Sequence, residues 1–118
     1  MLTKAAALDE AFPGTVSTTD AARRAGVTYR QLNYWISMRA VYPAYGNGGS
    51  GNPYRMTERQ VQHLIQIGHL HRLFERLDIA GPTVEFIGRV WDSLERTGTY
   101  RLDDGPLAIT LPWPAEGA

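Results

Sequence analysis

The chain of 118 residues contains no cysteine, which removes disulfides and thiolate metal ligation. It holds a single lysine, Lys4, and every other basic residue is an arginine. No apolar run approaches the roughly 18 residues that a membrane span needs. In MLTKAAALDEAF a short apolar run meets Asp9 and Glu10 at once, so no signal peptide is expected and a cytoplasmic location is. No nucleophile–base–acid set stands at interpretable spacing, and GNGGSG (residues 46–51) lacks the lysine and hydroxyl of a phosphate loop. An enzyme is therefore not expected, nor a cofactor. His63, His69 and His71 do not share one helical face, so the expectation is a polar surface role and no metal.

Net charge is also missing: twelve acids balance twelve bases. The balance hides an asymmetry. From Thr15 to Arg76 eight arginines (Arg23, Arg24, Arg30, Arg39, Arg55, Arg59, Arg72, Arg76) face only Asp20, Glu58 and Glu75. From Leu77 onward three arginines face seven acids. One end is thus suited to an anionic partner and the other is not. Arginine fits phosphate and base-edge hydrogen bonding better than lysine does.

What is present is mainly helical patterning. Leu2 to Phe12 reads as a short helix stopped by Pro13-Gly14. Ser17, Thr18 and Thr19 crowd the start of a second, with Ser17 and Asp20 in a loose capping box. Its small residues Ala21, Ala22 and Ala25 permit close helix approach. Gly26 is the stop, taking a left-handed conformation, and Thr28 caps the next helix. There Leu32, Trp35 and Ile36 form an inward stripe, while Tyr29, Arg30, Asn33 and Ser37 lie on other faces.

Val41 to Tyr45, with Pro43, suits an edge strand or extended loop, and Gly46 to Pro53 a hairpin tip, lined by amide groups, or a flexible loop. Tyr54, Arg55 and Met56 return as a second short strand. Thr57 to Leu77 carries the strongest helical pattern, with Val61, Leu64, Ile65, Leu70, Leu73, Phe74 and Leu77 inward and Arg59, Gln62, Gln66 and Arg72 outside. After a break at Asp78 to Gly81, Pro82 occupies a first helical turn. A helix from Thr83 to about Arg96 follows, with Val84, Ile87, Val90, Trp91 and Leu94 inward. Tyr100 and Leu102, a turn at Asp103 to Pro106, then Leu107, Ile109 and Leu111 signal a hairpin. Trp113 ends the ordered part, exposed or docked.

Two short helices about a tight turn, the second polar at its start, make a helix-turn-helix pattern, and a glycine-tipped strand pair after it makes a wing. The start of the second helix offers Thr28, Tyr29, Arg30, Gln31 and Asn33; arginine pairs bidentately with guanine, and glutamine or asparagine with adenine. A surface helix of polar residues packed by Leu32 and Trp35 explains the same pattern without DNA.

GVTYRQLNYW (Gly26 to Trp35), the glycine tip GSGNPYR (Gly49 to Arg55) and MTERQVQHLIQI (Met56 to Ile67), in that order, resemble the winged helix-turn-helix of the MerR superfamily. Similarity runs from Val16 to Leu77, about half the chain, and looks like variants of actinobacterial members and their phages. The resemblance implies that the second helix enters the major groove and the wing meets phosphates or the minor groove. Thr28, Tyr29 and Arg30 match the start of the recognition helix, Tyr34 a frequent phosphate contact, and Arg55 the wing arginine. Asn33 stands where the family usually has arginine, and no second arginine flanks Arg55. The last helix spans only about 21 Å at 1.5 Å per residue, has no sustained heptads and leads into a hairpin. The chain thus resembles short, effector-less members, small regulators and excisionase-type proteins, rather than the coiled-coil ligand sensors.

The expected architecture is mainly α with a small β wing: a winged helix-turn-helix over residues 15–77, and a helix plus β-hairpin over 78–114 packed on or extending it. The expected function is sequence-specific binding of double-stranded DNA, for transcriptional regulation or phage and mobile-element control. Arg30, Gln31 and Asn33 would read bases. Arg23 or Arg24, Tyr34 and Arg55 would hold the backbone, and Thr18 is a further expected DNA contact. Self-association as a dimer or cooperative array on DNA is expected, and no membrane contact. The alternative is a structural or interaction protein, such as a phage assembly or packaging component, that turns the same fold toward protein.

Overall fold

The computed structural model describes residues 10–49, 51–78, 83–104 and 107–111, the last nine strand residues by backbone alone. It is mainly helical, with small antiparallel β elements. In chain order the elements are β1 (Thr15–Ser17), α1 (Thr18–Ala25), α2 (Tyr29–Ser37), β2 (Arg55–Thr57), α3 (Glu58–Arg76), α4 (Val84–Thr97), β3 (Tyr100–Asp104) and β4 (Leu107–Leu111). The helix expected over Leu2 to Phe12 lies largely outside the described residues, as do Pro82 and Trp113; Glu10 and Ala11 are helical.

Each helix starts where a hydroxyl can accept an orphan amide. Ser17 accepts from Asp20 N at 3.2 Å, Thr28 from Gln31 N at 3.0 Å, Thr57 from Gln60 N at 3.1 Å and Thr83 from Phe86 N at 3.1 Å. The loose box at Ser17 is one-sided, because the Asp20 carboxylate turns to Arg23 instead. The full box forms at Thr57, where the Gln60 side chain returns to the cap amide. Gln60 goes further. Its Oε1 accepts from Ala44 N at 2.9 Å and its Nε2 donates to Tyr42 O at 3.1 Å. Backbone groups of the 42–44 segment therefore bond to this side chain rather than to a ladder, which makes the segment an extended loop and not an edge strand.

α1 ends at Gly26, whose φ of 73° is the left-handed conformation glycine adopts without strain. Its amide and that of Val27 return to carbonyls of α1. Arg72 of α3 donates through Nη1 to Ala25 O at 2.9 Å and Gly26 O at 3.1 Å, satisfying carbonyls at the end of α1. One turn earlier on α3, Gly68 lets the two backbones meet: a β-carbon there would stand 2.2 Å from the Ala25 carbonyl oxygen.

The core joins Ala21, Ala22 and Ala25 of α1, Leu32, Trp35 and Ile36 of α2, Val61, Leu64, Ile67 and Leu70 of α3, and Ile87, Val90, Trp91 and Leu94 of α4. Ala40, Val41 and Met56 complete it between helices. On α3 the buried stripe is rotated from the expected one. Ile67, Gln66 and His63 are inside, whereas Leu77 is exposed. The reason is α4. It packs on the His63 side of α3, where Glu95 accepts from His63 Nδ1 at 3.3 Å, and Arg59 pairs with Glu95 at 3.3 Å. The rings of Tyr42 and His63 both stand edge-on to Trp91, and the Tyr42 hydroxyl bonds Asp92.

Both β units are small. β1 pairs antiparallel with β2, Val16 opposite Met56, and Tyr45 bridges Arg55 on the other edge. β3 pairs with β4, Leu102 opposite Ile109. The strand continues through Asp103 and Asp104, which the sequence pattern had assigned to the turn; the rest of that turn, Gly105 and Pro106, lies outside the described residues.

Candidate nucleic-acid interface

α2 is divided cleanly into two faces by its 3.6-residue period. Leu32, Trp35 and Ile36 are buried. Tyr29, Arg30, Asn33, Tyr34 and Ser37 line a shallow, open hollow on the outer face. Tyr29, Asn33 and Ser37 form one row at four-residue spacing, and Arg30 and Tyr34 the row beside it. Arg30 and Asn33 make no hydrogen bond or ion pair among the described residues. Their hydrogen-bonding groups are therefore available to a partner. Gln31 is half-buried toward the turn, near Thr28, His71 and Arg72. Thr28 is exposed, but its hydroxyl already serves as the cap of α2.

Thr18 and the expected phosphate-holding residues fare unequally. Thr18 opens α1 and is half-buried, and Tyr34 is 49% exposed. Arg23 is exposed and reaches back to Asp20 at 2.9 Å, a surface pair that a stronger anion can displace at little cost. Arg24 makes a two-pronged bond to Glu58 of α3, 2.9 and 3.0 Å. Its guanidinium holds the Glu58 carboxyl below the usual carboxylate range, and the carboxylate in turn raises Arg24. Arg24 therefore ties α1 to α3.

Arg55 departs furthest from expectation. It stands in the strand that flanks the tip, as read, but is buried, 2% exposed, with Nε donating to Thr15 Oγ1 at 3.0 Å and Nη2 to Thr15 O at 3.1 Å. β2 runs between β1 and Tyr45, so Arg55 stands in the middle of three paired segments. It fastens β1 to the sheet. The glycine-rich tip also differs from a ring of free amides. Asn47 N and Gly48 N donate to Asn52 O, Asn52 N to Gly49 O, and Gly49 N to Asn47 Oδ1. These donors are spent on the turn itself.

Sequence reasoning missed β1, since three residues are too few for a period, and it missed the clamp at Gln60. The T-x-x-Q spacing of Thr57 and Gln60 was the available signal for that clamp. It also placed His63 on the surface, although burial of Trp91 opposite it brings the imidazole inside. Compared with family models and with curated protein sequences, the chain matches none.

Proposed function

We propose that the chain is a sequence-specific binder of double-stranded DNA built as a winged helix-turn-helix, acting in the cytoplasm as a small regulator or mobile-element control protein. α1 and α2 form the helix-turn-helix, the segment from Tyr45 to Arg55 is the wing, and α2 is the reading helix. The observation that carries this is the outer face of α2, where Arg30 and Asn33 stand unpaired beside exposed tyrosines. Arginine and asparagine one turn apart supply the donors and acceptors that guanine and adenine edges match in the major groove. Arg23 and the Tyr34 hydroxyl are the backbone contacts, which leaves the Tyr34 ring free to face the bases. Arg55 supports the wing from within. Self-association on DNA follows the operator: a palindrome requires a two-fold dimer, direct repeats a head-to-tail array.

The test is titration of wild type and Arg30→Ala against a selected duplex and a random duplex at two salt concentrations. The variant should lose about 1–3 kcal/mol on the selected duplex and far less on the random one. Equal loss on both would remove the reading role of Arg30. A second reading, an assembly protein using this face on another protein, is favoured by the exposure of Tyr29, Tyr34 and Met38, residue types common at protein interfaces. Failure of the wild type to retain any duplex at low salt would select that reading.

A further inference from the structure

We propose that the outer face of α2 reads thymine methyl groups, with Tyr29 and Tyr34 as the residues that meet them; this rests on the DNA-binding reading above. The two rings are 51% and 49% exposed. Neither makes a ring contact, and neither hydroxyl a hydrogen bond, among the described residues. The contrast with the other aromatics is plain. Trp35, Tyr42, Trp91 and Phe86 each stand edge-on to a neighbouring ring. Folding therefore leaves the two α2 tyrosines unused, on the rim of one hollow that also holds Arg30, Asn33 and Ser37.

The hollow is walled more by ring and methylene carbon than by polar atoms. In the major groove each base edge displays hydrogen-bonding groups, and the one apolar group is the C5 methyl of thymine. A surface that mixes one guanine reader and one adenine reader with two bare rings is complementary to a guanine beside A·T pairs. When Asn33 holds an adenine, the paired thymine presents its methyl in the same groove, within reach of the adjoining rings. A tyrosine that only bonded phosphate through its hydroxyl would be indifferent to that methyl. This difference makes the assignment testable.

A preferred duplex is first selected from a random pool with the 118-residue chain. Each thymidine is then replaced singly by deoxyuridine, which deletes the methyl and keeps every hydrogen-bonding group. Affinities are measured at one fixed salt concentration. Burial of a methyl-sized group is worth about a fourfold change in affinity, so one or two positions should weaken by about that factor. Tyr29→Ala or Tyr34→Ala should bind the thymidine and deoxyuridine duplexes equally at the position its ring covers, whereas Tyr34→Phe should keep the difference. Thermal melts establish that the alanine variants remain folded. The assignment is overturned if the wild type prefers its selected sequence yet tolerates every deoxyuridine, or if both alanine variants still discriminate. Failure to prefer any duplex at low salt overturns the DNA reading, and this one with it.

Discussion

Arg55 illustrates how much a single buried cation costs and how it is held. A guanidinium out of water must have its donors satisfied, and Thr15 accepts two of them through its hydroxyl and carbonyl oxygens. Removing it leaves that carbonyl unmatched and a void in the middle of the small sheet. Arg55→Ala should therefore lower unfolding stability by roughly 2–4 kcal/mol in a urea titration. If DNA is bound, the salt dependence of binding by the remaining folded protein should stay unchanged, because that slope counts phosphate contacts. An arginine placed at the wing tip would behave in the opposite way, with wild-type stability and a shallower slope.

Among the elements, the helices were the most legible in sequence. Ser17 and Thr28 cap as read, and Gly26 turns as expected; Thr57 caps α3, while Thr83, read as the first residue of the last helix, is its cap instead. The inward stripe of α2 is also as read. What sequence could not supply is the direction from which a neighbour arrives. α4 settles on the His63 side of α3, so Gln66 and His63 go inside while Leu77 stays out. The fate of Arg55 depends likewise on β1, an element of three residues formed by partners 40 positions apart. The α1–α3 contact yields a further prediction. Gly68 admits the Ala25 carbonyl, and a methyl there overlaps backbone, which cannot swing aside as a side chain would. Gly68→Ala should cost about 1–3 kcal/mol despite alanine's higher helix propensity, read as a lowered melting temperature.

At the scale of the whole molecule, stability should depend on mild acid. His63 is fully buried between α3 and α4, and burial holds its imidazole below the ordinary value, with the Glu95 bond opposing and Arg59 adding to the depression. The unfolded chain then binds this proton more readily than the folded one. The associated stability is present above pH about 6.5 and is lost as pH falls from there toward the lowered folded value. Urea midpoints should drop between pH 7.5 and 5.5, and His63→Gln should reduce that drop. His71, half-exposed beside Glu75, lies outside this packing. The division of α2 has a consequence for how such a protein changes its target. Leu32, Trp35 and Ile36 hold the helix in place, and positions 29, 30, 33, 34 and 37 do not take part in that packing. On the proposed reading, those five positions form an address written on a chassis that does not depend on it. Descendants of one such gene can drift to new operators without passing through unfolded intermediates, and a library varied at these positions alone explores recognition at nearly constant stability.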